Sequence, residues 1–150
     1  MKKVLATILA LVMALSLCSV SWATPPVNSA DTLKTAVEAG GEITLDEDIE
    51  ISETISVSKS VTINLNSKTI TGKSNEAGRR VFNVVAGGSL TLTGSGTITT
   101  ESKNDGTFPD NSSVIRVGDN TSGAACGLVV GKDVKIIAPA SYGIAVFGKN

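Results

Sequence analysis

The feature that most constrains the fold of this chain is a set of short apolar alternations that recurs about every thirty residues. The pair Ile55 and Val57 returns three times, as Phe82 and Val84, as Ile115 and Val117, and as Ile144 and Val146. Apolar residues that alternate with polar ones are typical of strands with one buried face. A superperiod of this length predicts an all-β solenoid, in which each coil stacks on the previous one.

Two further series run beside the first, and together they predict three short strands per coil. The second series matches Val61 and Ile63 to Leu90 and Leu92, and then to Val134 and Ile136; the third matches Ile70 to Ile98. The segments 101–113 and 118–127 are interpreted as insertions in turns, and the segment 42–51 is not assigned to a coil. The alternative is a β-sandwich, which also has many short alternating strands but no three-strand superperiod.

The segment from Met1 to Ala23 predicts a secretory signal peptide. Lys2 and Lys3 precede an apolar run over positions 4–20, and small residues at Ser21 and Ala23 suit cleavage after Ala23. An uncleaved membrane anchor is the other interpretation of this segment. Cleavage leaves a linker over 24–30 and a solenoid domain over 31–150. No capping segment follows the last strand, so we expect the domain to be incomplete at its C-terminus.

Composition excludes several classes of function. The chain has no His, so it offers no His-ligated metal site, no His general base and no Ser-His-Asp triad. Its formal net charge of −1 argues against a nucleic-acid binder. After signal cleavage Cys126 is the one remaining cysteine, which excludes an internal disulfide. The acidic positions 46–48 are interpreted as a solvated turn.

One helix is expected before the strands, over positions 29–39. Ser29 or Asp31 can cap its start, and Leu33 and Val37 fall on one face. Two glycines at positions 40 and 41 end it.

The order of this helix and the units that follow it resembles the N-terminal portion of the pectate-lyase-like right-handed parallel β-helix superfamily. The resemblance rests on the segment 33–45, on the strand–turn–strand unit over 60–72, and on its next version over 87–98. It implies a right-handed β-helix with a helix over its N-terminal end. In the turn of the first unit the family pattern often has Gly where this chain has Ser67, so Asn66 is expected to take the left-handed conformation.

Two groups of polar residues are candidates for a ligand groove. Asp105, Phe108 and Asp110 lie in the polar loop over 101–111, where carboxylates suit cation or sugar contacts and an aromatic ring suits stacking. Arg116 and Asp119 form the second group. The resemblance implies β-elimination from uronates with Ca²⁺-bound acids and a basic residue. A solvated loop and a surface ion pair are the respective alternatives.

The sequence therefore predicts a secreted or cell-surface β-helix module that contacts polysaccharide or cell-wall glycan. If an enzyme is involved, it is a polysaccharide lyase or glycoside hydrolase whose catalytic coils lie outside this chain. No catalytic set is identifiable in the sequence, no cofactor is identifiable, and Ca²⁺ enters through the resemblance alone. The alternative is a non-enzymatic bacterial surface adhesin or structural stalk.

Overall fold

The computed structural model describes residues 25–73, 80–101, 112–118, 124–139 and 142–148. One helix, α1 (Ala30–Ala39), precedes the strands of these ranges. In chain order the strands are β1 (Gly41–Thr44), β2 (Ile49–Ile51), β3 (Ile55–Val57), β4 (Ser60–Asn64), β5 (Thr69–Gly72), β6 (Phe82–Val84), β7 (Ser89–Thr93), β8 (Gly96–Thr100), β9 (Ser113–Val117), β10 (Gly127–Val130), β11 (Val134–Ile137) and β12 (Tyr142–Val146).

Every third strand belongs to the same parallel sheet. The orders are β1-β4-β7-β10, β2-β5-β8-β11 and β3-β6-β9-β12, which we call the first, second and third sheets. Three consecutive strands therefore make one coil, and the coils that the structure describes begin with β1, β4, β7 and β10. The protein is an all-β parallel solenoid. A β-sandwich, built from antiparallel sheets, does not fit this topology.

The strand register confirms the principal repeat read from the sequence. In the third sheet, Ile55 is aligned with Phe82, Phe82 with Ile115, and Ile115 with Ile144. The valines two positions later form a parallel row: Val57, Val84, Val117 and Val146. The pairings of Ile70 with Ile98, and of the first-sheet strands β4 and β7, are confirmed as well.

One predicted pairing is wrong. Leu90 and Leu92 align with Leu128 and Val130 of β10, whereas Val134 and Ile136 align with Gly96 and Ile98 in the second sheet. The segment interpreted as an insertion over 118–127 thus leads directly into a first-sheet strand, which begins at Gly127. The sequence pattern hides β10 because its residues are apolar in succession rather than alternately.

The segment 42–51, left unassigned above, supplies strand residues of β1 and β2 in the first coil. Its acidic turn also has structural contacts. The Asp46 carboxylate accepts a hydrogen bond from the Val27 backbone N–H at 3.0 Å, and the Asp48 carboxylate accepts one from the Thr69 N–H at 2.7 Å. The turn therefore ties the first coil to the chain before α1 and to the second coil, and solvation alone does not account for it.

The interior of the described coils is filled by aliphatic side chains, with Phe82 as the large aromatic among the fully buried ones. The same core includes Ile63, Leu65, Ile70 and Leu92, and rows such as Ile63 with Leu92 stack from one coil to the next. Because each inward side chain packs on its counterparts in the adjoining coils, the core needs little aromatic volume. This explains how a chain with 3% aromatic residues builds a continuous core.

Helix α1 covers the first coil, and it begins at the predicted cap. The Ser29 hydroxyl accepts a hydrogen bond from the Thr32 N–H at 3.3 Å, and the Thr32 hydroxyl accepts one from the Ser29 N–H at 3.0 Å. Leu33 and Val37 are buried, as expected from their spacing. Gly40 ends the helix with a positive φ of 84°.

Replacing Ser29 by alanine is expected to lower the free energy of unfolding by about 1 kcal/mol, because the capping box depends on this residue's hydroxyl and geometry. Urea denaturation followed by circular dichroism measures the change. Asn28→Ala, one position before the cap, is the control and is expected to change stability by less than about 0.5 kcal/mol. Equal losses in the two variants would contradict the capping role.

The tight turn after β4 uses two consecutive residues with positive φ. Asn66 has the predicted left-handed conformation at 49°, and Ser67 shares it at 64°. The Asn64 side-chain oxygen accepts a hydrogen bond from the Asn66 N–H at 3.0 Å, and the Asn66 side-chain amide donates one to the Leu45 carbonyl at 3.0 Å. These bonds tie the turn to the preceding coil and offset the strain that a non-glycine residue has in this region.

Candidate functional site

The outer face of the third sheet presents a row of one side chain per coil. Strand register aligns Ser56, Asn83, Arg116 and Ala145. In each of the first three strands, the residues directly before and after this position point inward and belong to the core rows that begin with Ile55 and Val57. Because successive strand side chains point to opposite faces, this row faces outward. Arg116, a predicted groove residue, therefore lies on an outer face beside the amide of Asn83 from the coil before it.

Arg116 is held in place by two contacts. Its guanidinium lies over the Phe147 ring, 4.3 Å from the ring centroid. Its Nε donates a hydrogen bond to the Gly118 carbonyl at 3.2 Å. A guanidinium in this position is attracted by the negative face of the ring, and the contact restricts its rotamers. The remaining N–H groups keep a fixed planar fork, the geometry that suits a carboxylate.

Phe147 itself is positioned by the fourth coil. It directly follows β12, and its backbone N–H donates a hydrogen bond to the Val117 carbonyl at 2.8 Å, which continues the β9–β12 ladder. The ring therefore reaches Arg116 because two coils are in register, although the two residues are far apart in the sequence. We call Asn83, Arg116 and Phe147 the third-sheet patch.

A second guanidinium lies close to the third-sheet patch. Burial lowers the pKa of Arg80, and the positive charge of Arg116 lowers it further. Arg80 comes just before the β6 strand, and its backbone carbonyl accepts a hydrogen bond from the Thr54 hydroxyl at 2.8 Å. The charges of the two guanidinium groups therefore act on each other in this region.

The outer faces of the other two sheets differ in chemistry, since hydroxyl side chains dominate them. In the second sheet Thr69 aligns with Thr97, and Thr71 with Thr99. Beside these threonines, the Lys73 ammonium forms ion pairs with the carboxylates of Glu50 and Glu101 from the adjoining coils. The hydrogen bonds to Glu101 and Glu50 raise the pKa of Lys73. In the first sheet Thr62 aligns with Thr91.

Of the predicted site residues, Arg116 is in the third-sheet patch. The others, Asp105, Phe108, Asp110 and Asp119, lie outside the described residues. Sequence reasoning missed Asn83 and Phe147. Asn83 could have been found from the repeat itself, because the interval that relates Phe82 to Ile115 also carries Asn83 onto Arg116.

The described residues bring together no group of three or more His, Cys, Asp or Glu side chains that could hold a metal ion. Cys126 is half-buried beside the core, with its Sγ 3.8 Å from the Ala124 carbonyl oxygen. In the same ranges no helix has the length and apolar character needed to cross a membrane. The third-sheet patch itself presents a fixed cation, an amide and an aromatic ring.

A separate apolar groove lies at the first coil, between residues 25–27, one face of α1 and the start of β1. Asp31 and Glu42 are the charged members of its lining. The groove contains none of the residues predicted for ligand binding, and it lies two coils away from Arg116.

Comparison with known proteins adds no family to these observations: no protein-family model, no curated protein and no solved structure matches this chain.

Proposed function

We propose that this chain is a secreted or cell-surface right-handed parallel β-helix module that binds acidic polysaccharide through the outer face of its third sheet. The observation that carries the proposal is the Arg116 guanidinium, fixed over the Phe147 ring and aligned with Asn83. Secretion rests on the charged start, the apolar run and the small residues of the segment that ends at Ala23.

The third-sheet patch suits a uronate residue in particular. A fixed guanidinium binds a sugar carboxylate by charge-assisted hydrogen bonds. The Asn83 amide can donate to and accept from hydroxyl groups, and an aromatic ring packs against the apolar face of a sugar ring. The positive charge of Arg116 favours an anionic polymer over a neutral one.

Solenoid geometry also suits a linear polymer. Adjacent coils in such a fold lie about 4.8 Å apart, so a sheet face offers side chains at regular intervals along the solenoid axis. Helix α1 over the first coil and the strand–turn–strand units that follow support the right-handed, pectate-lyase-like form of this architecture. Cleavage of the polymer is not assigned to this chain, since the third-sheet patch has no pair of groups that could serve as acid and base.

Replacing Arg116 by alanine is expected to weaken binding to polygalacturonate at least about tenfold, since a charge-assisted hydrogen bond contributes about 1.5–3 kcal/mol. Isothermal titration calorimetry on the chain from Thr24 onward, at low ionic strength, measures the affinity. Added salt is expected to weaken the wild-type interaction, because exposed charges are screened.

Lys135→Ala is the matched control, as it removes the same charge from an exposed position on the second sheet. It is expected to leave the affinity within about twofold. Equal losses of affinity in the two variants would show that binding depends on net charge alone and not on a specific site at Arg116. Binding of neutral dextran with the same affinity as polygalacturonate, or no binding of either polymer, would contradict the proposal.

A non-enzymatic stalk is the second candidate, and the hydroxyl-rich outer faces of the first and second sheets favour it. Paired threonines on stacked strands, such as Thr69 with Thr97, stabilise the contact between coils without creating a recognition site. A module that binds no glycan but resists mechanical unfolding in single-molecule pulling would support the stalk over the polysaccharide-binding module.

A further inference from the structure

The side of the fourth coil that faces away from the third coil is not covered by any strand that the structure describes. Strands β10, β11 and β12 are each the outermost strand of a sheet, so among the described residues each has a neighbour on one side alone. An edge strand presents backbone N–H and C=O groups without ladder partners, and it pairs readily with another chain. We call the surface formed by β10, β11 and β12 the open end.

Core side chains are exposed at the open end. In the third sheet Ile144 is 42% exposed and Val146 is 76% exposed. Their counterparts one coil earlier, Ile115 and Val117, are 0% and 6% exposed. Val130 of the first sheet is exposed in the same way. These side chains lie in core rows and lack only a covering coil, so the hydrophobic effect favours any partner that buries them.

A partner for the open end must meet three strand edges at once. A single extended peptide would pair with one edge and leave the other two, and the core between them, uncovered. A second copy of this chain brings an identical ring of three edges and an identical open core. The opposite end of the solenoid is covered by α1, which packs on β1, β2 and β3. Stacking of the open end on that end of another copy is therefore blocked, and the two open ends are left to meet each other.

The charge pattern of the open end also suits a like partner. A two-fold contact brings identical groups together, so a charged surface repels its own copy. Within β10, β11 and β12 the one charged residue is Lys135, and its alignment with Thr97 places it on the outer face. In the turn between β10 and β11, the Lys132 ammonium and the Asp133 carboxylate form an ion pair at 3.0 Å. Like-charge repulsion therefore does not oppose self-association, and the surface offers no charge that would select a different partner.

We propose that two copies of this chain bind each other through their open ends and form a closed two-fold dimer. Seen from its own open end, each copy winds in the same sense, so the strands of two facing ends run in opposite directions. The facing edges can therefore form antiparallel ladders, and the exposed core rows of the two copies become one continuous interior. The proposal is independent of polysaccharide binding, since it does not depend on any side chain of the third-sheet patch.

Sedimentation equilibrium of the chain from Thr24 onward, at several concentrations and without polysaccharide, tests the proposal. We expect twice the monomer mass at about 100 μM, with a decrease toward the monomer mass on dilution. A monomer at the higher concentration would overturn the proposal and favour the other occupant, a further coil of polypeptide. Masses that keep increasing beyond the dimer would also overturn it, because a two-fold contact is closed.

Val146→Lys locates the contact, and Thr62→Lys is the matched control. Val146 lies in the exposed core row of the open end, whereas Thr62 lies on the outer face of the first sheet, two coils away. Val146→Lys places an unpaired charge from each copy in the interface, and we expect it to raise the dimer dissociation constant at least about a hundredfold. Thr62→Lys is expected to change it less than about threefold. Equal dissociation constants in the two variants, each shown to be folded by circular dichroism, would contradict the assigned surface.

Hydrogen exchange of the wild-type chain gives a readout that does not depend on the folding of either variant. Amides of β12 that point toward the open end are unprotected in a monomer and donate to a ladder in the dimer. We expect exchange in β12 to slow at least about tenfold between dilute and concentrated samples. Exchange in β7, which lies between β4 and β10, is expected to stay the same. Exchange in β12 that is independent of concentration, in a sample that sediments as a dimer, would place the contact elsewhere and overturn the proposal.

Discussion

Phe82→Ala is expected to lower the free energy of unfolding by about 3–5 kcal/mol, because the ring is fully buried and its loss leaves a cavity between two coils. Phe82 lies between Ile55 and Ile115 in the third-sheet row, so the cavity interrupts the stacking from the first coil to the third. A loss of this size is a large part of the usual stability of a domain. Urea denaturation monitored by circular dichroism measures it.

Thr62→Ala is the control for this experiment. Thr62 lies in the same coil as Phe82, on the outer face of the first sheet, and is expected to change stability by less than about 0.5 kcal/mol. If the two variants were equally stable, Phe82 would not have the interior role that its register and burial assign to it. The free energy of unfolding of Phe82→Leu is expected to lie between those of Phe82→Ala and Thr62→Ala, since leucine keeps most of the buried volume.

Gly88→Ala is expected to cost at least about 3 kcal/mol, through steric conflict with the backbone of the preceding coil. A Cβ at this position would lie 2.9 Å from the carbonyl carbon of Val57 and nearer still to its oxygen. The Val57 carbonyl cannot move without loss, since it accepts a hydrogen bond from the Val85 N–H at 3.0 Å. Alanine would therefore separate the two coils at this turn.

The adjacent glycine supplies a matched comparison for Gly88→Ala. Gly87 has a positive φ of 79°, but a Cβ there meets no atom within 4 Å. Gly87→Ala is thus expected to cost about 1–2 kcal/mol, the strain of a left-handed residue alone. Thermal unfolding of the two variants distinguishes the cost of steric contact with Val57 from the cost of backbone strain. Equal losses would show that steric contact with Val57 is not the cause.

The interior rows were predictable because side chains along a strand alternate with a period of two. Once Ile55 and Val57 face the core, every residue stacked on them must be apolar, so the interval between coils can be read from the sequence. The helix was predictable for a similarly local reason, since Ser29 precedes an amphipathic turn. The resemblance to the pectate-lyase-like proteins depends on these same features, and its right-handed form stays a prediction.

The pairing of β10 was not predictable from alternation. Leu128, Val129 and Val130 are apolar in succession, so the sequence does not distinguish the inward residues from the outward one. Register assigns Val129 to the outer face, where it aligns with Thr91 and is 57% exposed. A search for alternation therefore passes over β10 and selects β11, which alternates but belongs to the second sheet.

Sequence alone determined the period-two strands, the three-strand coil and the cap of α1, because each depends on near neighbours or on a repeated interval. Only the tertiary structure decided the candidate site. Arg116 meets Phe147 across two coils. Turns of unequal length set this arrangement, and local spacing does not encode how coils with such turns align.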